Sequence, residues 1–232
     1  MSSVAGAAHG AEGERHHPDL VHHFESLPAQ KEAATFGMWI FLANEVMFFG
    51  GLFLAYTIYR NLYFHSFVQS SRHLNLTLGA INTAVLICSS LTMAMGVHAS
   101  ALGRRRSTVA WLLLTVALGT VFLGIKTFEY KDKFEHHLVP GESFRAEELH
   151  LEGPDARPAQ IFYALYFAMT GLHAAHMVIG IPIILFVAWM AHRGRFSPEY
   201  HTPVEMTGLY WHFVDIIWIF LFPLLYLIGR HH

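Results

Sequence analysis

Apolar residues run through this chain in five long stretches, roughly Phe36–Tyr59, Leu76–Leu102, Val109–Phe128, Ile161–Ala191 and Met206–Ile228. A helix needs about 20 predominantly apolar residues to cross a bilayer core, and each stretch supplies them. The pattern predicts an all-α polytopic membrane protein: a bundle of five transmembrane helices, forming one domain over residues 35–230. The polar breaks are short except one. The first holds Arg60, Asn61 and Arg72, the second Gly103-Arg104-Arg105-Arg106-Ser107, and the fourth Arg193-Gly194-Arg195. The third, Glu129–Ala159, is a sizeable acidic loop with Glu129, Asp132, Glu135, Glu142, Glu147, Glu148, Glu152 and Asp155. No internal repeat is visible.

Composition agrees with a membrane class. Charged residues are 14% and hydrophobic residues 53% of the chain, where a soluble domain carries about 25% charged residues. The lone cysteine, Cys88, leaves no disulfide and reads as a small buried apolar residue. Residues 1–34 are polar, with His9, His16, His17, His22 and His23, and are expected to form a disordered His-rich tail. Such tracts can bind metal, but a solvated tail is the favoured reading. The tail lacks the apolar stretch of a secretory signal, so insertion falls to the first transmembrane helix.

Charge then sets orientation. Lys and Arg divide almost evenly between the two sides, but the positive-inside rule weights short loops near helix ends. Arg104–Arg106 and the Arg193/Arg195 pair qualify, with no acid beside them. The N-terminus is therefore expected in the cytoplasm, and the acidic loop and C-terminus outside.

Ionisable groups at membrane depth are costly and mark candidate functional sites. In the last stretch, Tyr210-Trp211-His212-Phe213-Val214-Asp215-Ile216-Ile217-Trp218 puts His212 and Asp215 on one helical face. Each can partner the other, or both can serve a neighbouring helix. Thr170-Gly171-Leu172-His173-Ala174-Ala175-His176 repeats the spacing, so His173 and His176 can reach one partner. Gly171 and Ala175 there form a small-residue pair that admits a neighbouring backbone, which favours helix packing. Glu45, near the middle of the first stretch, is either a proton-handling carboxyl or a hydrogen-bonding residue at a helix interface. Gly79, Asn82, Thr83, Ser89, Ser90, Gly96 and His98 punctuate the second stretch and read as a tight interhelical surface.

Imidazole and carboxylate suit zinc, iron or copper. The expected depths, mid-helix for His173 and His176 and nearer the cytoplasmic end for His212 and Asp215, argue against one cluster, and no metal or haem site is assigned. A small proton-coupled transporter, with Glu45 and the histidines as a relay, is the alternative from another class. Transporters usually show inverted repeats and broken helices at the midplane, and neither is visible.

Several segments in collinear order resemble one family. Gly208-Leu209-Tyr210-Trp211-His212-Phe213-Val214-Asp215-Ile216-Ile217-Trp218-Ile219-Phe220-Leu221-Phe222 is similar to the final helix of subunit III of haem-copper cytochrome c oxidases. Thr170–Gly180 resembles the family's TGFHGLHVIIG helix, Glu45-Val46-Met47-Phe48-Phe49 its SEVLFF segment, Ile81-Asn82-Thr83-Ala84-Val85-Leu86 its LNTxVLL helix, and Phe128-Glu129-Tyr130 its EYYE-like end. The resemblance covers about residues 35–230.

It implies an accessory subunit with no haem or copper of its own, packed on a catalytic subunit I beside a copper-binding subunit II. That subunit binds phospholipid and supports proton uptake and turnover stability in a bacterial plasma membrane. Glu45 falls on the family's buried, carbodiimide-reactive carboxyl. His98, His173, His176, His212 and Asp215 become polar helix-packing residues, and Arg193 and Arg195 become phospholipid contacts. The resemblance also implies a departure: the mitochondrial-type form has seven helices, and the first two are missing here. Either another subunit supplies extra helices, or the lipid cleft opens to the bilayer. Subunits of quinol oxidases and a protein associated with nitric oxide reductase share the pattern. Contacts with other respiratory complexes are conceivable; nothing suggests nucleic acid.

Overall fold

The structure, a computed structural model, describes residues 26–141, 144 and 156–228. The His-rich tail before Ser26 and the acids Glu142, Glu147, Glu148, Glu152 and Asp155 lie outside the described residues. Five helices long and apolar enough to cross a membrane are present: α1 (Leu27–Leu62), α3 (Leu76–Ala101), α4 (Arg105–Glu135), α5 (Ala156–His192) and α6 (Thr202–Tyr226). A short helix, α2 (Phe64–Arg72), follows α1. No strand occurs among the described residues, so the all-α membrane bundle stands as expected.

The starts of α1 and α3 follow capping chemistry rather than hydropathy. Ser26 Oγ accepts the N–H of Ala29 at 3.4 Å, and Pro28 occupies the first turn of α1, where its missing N–H leaves no intrahelical bond unmade. The helix therefore starts well before the apolar stretch. Asn75 Oδ1 caps α3 through the N–H of Leu78 at 3.2 Å. Two turns need left-handed glycines, Gly103 at φ 68° and Gly194 at φ 75°. These turns meet: a Cβ on Gly103 would fall 3.1 Å from Pro198 Cγ, and one on Gly194 would fall 3.4 Å from Arg105 Nη1.

α6 fills the centre, with α1, α3 and α5 packed on it and α4 closing over α3 and α5. The most apolar window of α6 is 56% buried, against 11% for α1, so α1 is the peripheral span. Trp211 of α6 lies wholly buried between two glycines. A Cβ on Gly119 of α4 would come within 2.8 Å of its indole, and one on Gly180 of α5 within 3.1 Å. Gly79 receives Phe222 and Tyr226 in the same way, and Gly96 receives Leu112. The expected tight surface on α3 is thus present at Gly79 and Gly96, but His98, read as part of it, is exposed and does not pack between helices.

Three expectations fail. Gly171 and Ala175 do not form the close contact on α5, because Ala175 faces outward and Gly180 takes the Trp211 ring. Cys88 is exposed on α3 rather than buried; a thiol is apolar enough to face hydrocarbon. Glu129, Asp132 and Glu135 do not belong to a loop, since α4 runs on to Glu135. Opposite charges at helical spacing support it there: Lys126 to Glu129 at 2.8 Å and, more weakly, Lys131 to Glu135 at 3.7 Å.

Candidate functional site

The inner face of α1 repeats at helical spacing through Met38, Leu42, Glu45, Phe49 and Tyr56, of which Leu42, Phe49 and Tyr56 are buried. This face carries Glu45 toward α5, where Oε2 lies 3.3 Å from Nε2 of His176; the two side chains are only 15% and 17% exposed. His176 Nδ1 lies 2.8 Å from the carbonyl oxygen of Leu172. A carbonyl only accepts, so Nδ1 carries hydrogen. Nε2 is then the ring atom that faces the carboxyl, and the contact is an ion pair only with the imidazole protonated.

Tyr210 fixes the pair by donating its hydroxyl to the His176 carbonyl at 2.8 Å, and Phe49 packs on the imidazole at 5.5 Å between ring centres. The pair lines an apolar groove of about 500 Å³ between α1, α5 and α6, lined also by Met38, Phe41, Ile179 and Met206.

His173 does not share this partner. It is fully buried against Phe122 and Trp218, with ring centres 5.3 and 5.1 Å away, and neither ring nitrogen meets a hydrogen-bond partner among the described residues. Three residues of helix leave two side chains about 60° apart, and at the corner between α1 and the core that offset sends His176 to α1 and His173 inward. The edge-on Phe122 ring, at 72° to the imidazole, allows only a weak N–H···π contact.

His212 and Asp215 likewise do not pair with each other. Each takes a serine of α3. Ser90 Oγ lies 2.7 Å from His212 Nδ1, and Asp215 turns toward Ser90 and Ser89, with Oδ2 3.5 Å from Ser89 Oγ. Ser89 also accepts the Trp211 indole N–H at 3.1 Å and donates to the Leu86 carbonyl at 3.0 Å. Asp215 Oδ1 is buried without a partner among the described residues. This seam locks α3 to α6. His98 stands at the open end of the same seam, exposed, in a groove of about 620 Å³ shared with His212, Lys31 and Glu205. Lys31 and Glu205 are ion-paired at 2.7 Å across α1 and α6, and His201 Nε2 approaches the same carboxylate at 3.0 Å.

Sequence reasoning missed a buried ion pair. Lys126 donates to Glu129 at 2.8 Å and to Tyr226 Oη at 2.7 Å; Tyr226 and Tyr166 both donate to Glu129 Oε1, the latter at 3.0 Å. The ammonium also sits 4.6 Å from the Trp218 ring centre. Lys126 is 4% and Glu129 3% exposed, so their mutual pairing is obligatory. The signal available was their i, i+3 spacing at the end of an apolar stretch.

Arg193 and Arg195 lie at the joined α3–α4 and α5–α6 turns with Arg104, Arg105 and Arg106. Arg193 stacks 4.9 Å over the exposed Trp189 ring. Among the described residues no acidic side chain pairs with any of these arginines, and no group of three His, Cys, Asp or Glu side chains is placed to hold a metal ion.

Four spans around a central fifth, sealed by polar seams rather than opened into a broken-helix cavity, define a polytopic α-helical membrane protein. The sequence model described as cytochrome c oxidase subunit III matches residues 22–136 and 151–230. The chain belongs to that family: it is subunit III of a haem-copper oxidase, a membrane subunit that works in complex with other oxidase subunits. It is similar to cytochrome c oxidase subunit 3 of Thermostichus vulcanus, 36% identical over 195 residues, 84% of this chain and 87% of the relative. The same-named protein of Synechocystis is 33% identical over 224 residues, 96% of this chain and 81% of the relative. Quinol oxidase subunit 3 of Bacillus spizizenii is 30% identical over 193 residues, 83% of this chain and 86% of the relative.

Proposed function

We propose that this chain is the accessory, non-redox subunit of a bacterial cytochrome c-consuming oxidase, with proton handling centred on Glu45 and His176. Haem and copper then belong to a catalytic subunit I and a copper-binding subunit II, on which this bundle packs. The observation that supports the proton role is the 3.3 Å Glu45–His176 approach beside an open groove. Relatives named for cytochrome c oxidase, at 36% and 33% identity, favour that electron donor over quinol, named in a relative at 30%. The unpaired arginines beside Trp189 suit an anionic phospholipid head group, with Arg193 and Arg195 as charge-assisted donors. The same arginines favour a cytoplasmic N-terminus and a periplasmic C-terminus in the plasma membrane.

Glu45→Gln tests the proton role. The amide can donate to His176 Nε2 and keep the geometry, but it cannot exchange a carboxyl proton. The oxidase should assemble with its haem spectrum unchanged, take up protons more slowly, and lose activity in fewer turnovers. Unaltered proton uptake and unaltered turnover lifetime would refute the role. Oxidation of quinol but not cytochrome c by the purified complex would reassign the donor.

A further inference from the structure

α1 is held to the bundle unevenly on the two sides of its middle. Past Gly51, Tyr56 is wholly buried. Its hydroxyl donates to the Leu224 carbonyl at 2.7 Å, and its ring packs on Phe67 and Phe162 at 5.5 and 6.3 Å between centres. From Leu27 to Phe48, by contrast, Leu42 is the one buried residue. That half stands off the bundle along both edges. The groove of about 620 Å³ separates it from α3 and the groove of about 500 Å³ from α5, and Met206 of α6 borders both. Its far end is tied down by the Lys31–Glu205 pair, whose side chains are 48% and 25% exposed. An ion pair so exposed holds weakly and is screened by salt.

Gly50 and Gly51 lie at the junction of the two halves. Glycine is a poor residue inside a helix, and here neither one makes room for a neighbour. Nothing lies within 4 Å of where a Cβ would project from either. Both are exposed, and Gly51 stands about 200° round the helix from the buried Phe49. Paired small residues of this kind are where helices kink. A swing of the Lys31 half away from the bundle compresses the outer face at the junction, and residues without a Cβ tolerate that compression.

The lever is long. Lys31 lies about 29 Å from Gly50 at about 1.5 Å per residue, so a bend of about 20° carries it outward by about 10 Å. Glu45, about 8 Å from the junction, moves by about 3 Å, which parts its 3.3 Å contact with His176. Phe49, beside the pivot, moves by under about 1 Å and keeps its place in the core.

We propose that the Lys31-bearing half of α1 is a latched lid over Glu45 and His176, pivoting at Gly50–Gly51 and held shut by Lys31 and Glu205. This rests on the reading of Glu45 as the proton-handling carboxyl and supplies its control. With the lid shut, the carboxyl faces His176 in an apolar groove; with the lid swung out, it is free to exchange its proton with water.

The test times the modification of Glu45 by dicyclohexylcarbodiimide in the purified intact oxidase, read by mass spectrometry of this chain. Lys31→Gln loosens the latch and should speed labelling roughly 1.5- to 5-fold, the worth of an exposed ion pair. Gly50→Ala with Gly51→Ala stiffens the pivot without a clash and should slow labelling roughly 5- to 30-fold. A cleavable bifunctional thiol reagent joining Lys31→Cys to Glu205→Cys, in a Cys88→Ser chain, should also slow it. Cleaving that bridge should restore the rate in the same molecules. A rate indifferent to Lys31→Gln, to the alanine pair or to the bridge would overturn the lid. If that happens while Glu45→Gln still slows proton uptake, the lid fails and the proton role stands. If labelling responds as expected but Glu45→Gln takes up protons like the wild type, the lid stands and the proton role fails.

Discussion

Lys126 and Glu129 show how much one pair can decide at the scale of a residue. Removing the lysine leaves a carboxylate 3% exposed with only two tyrosine hydroxyls to hold it. Lys126→Met should therefore destabilise the subunit by about 3–5 kcal/mol, while the double change Lys126→Met with Glu129→Leu should recover most of the loss. Heating the solubilised oxidase and following retention of this subunit measures both; a double variant no better than the single would show that the charges are not coupled.

Asp215 is a contrasting case. Its sequence suggests that a leucine there should damage assembly, since charge in lipid demands a reason. The geometry reduces that expectation: Asp215 Oδ1 has no partner, and Ser89 and Ser90 keep Leu86, Trp211 and His212 without it. Asp215→Leu should cost about 1 kcal/mol, read as a small drop in the same assay; dissociation of the subunit would restore the stronger role. Hydropathy marked these polar residues as unusual but not their partners. Whether an i, i+3 pair shares a partner depends on which helices flank it, and the chain order alone does not say that α5 packs against both α1 and α6.

At the scale of the element, the helices were legible and their ends were not. Hydropathy fixed the number of spans because bilayer thickness sets a length. It could not see the cap at Ser26, nor the ion pairs that support α4 past Phe128 as helix. The nine-residue α2 was missed because its mean hydropathy is polar although Ser66, Phe67, Ser70 and Ser71 are buried. Packing between elements turns on glycines chosen for one ring. Gly119→Ala would drive a methyl to 2.8 Å from the Trp211 indole, and Gly180 blocks retreat on the other side. The variant should lose about 1–3 kcal/mol, visible as lower thermal retention of the subunit. A neutral Gly119→Ala would mean that the indole has another place to go.

Over the whole molecule, the turns at Gly103 and Gly194 gather five arginines on one side, and the Lys31–Glu205 pair lies at the same ends of α1 and α6. If that side is cytoplasmic, a cysteine replacing Ser197 should react with impermeant maleimide only in inside-out vesicles. Labelling of right-side-out cells would invert the proposed topology.

The central position of α6 also bears on how the protein is made. α6 follows the other four spans in the chain, yet it carries the indole that fills the middle and Tyr226, which completes the Lys126–Glu129 pair. During synthesis the earlier helices enter the membrane around an empty slot lined by Ser89, Ser90, Lys126 and Glu129. Until α6 is released from the ribosome, those groups must be shielded by lipid head groups, water or the insertion machinery. Folding of this subunit should therefore be completed only by the final span, and chains halted before Thr202 should hold the Lys126–Glu129 pair without its Tyr226 partner.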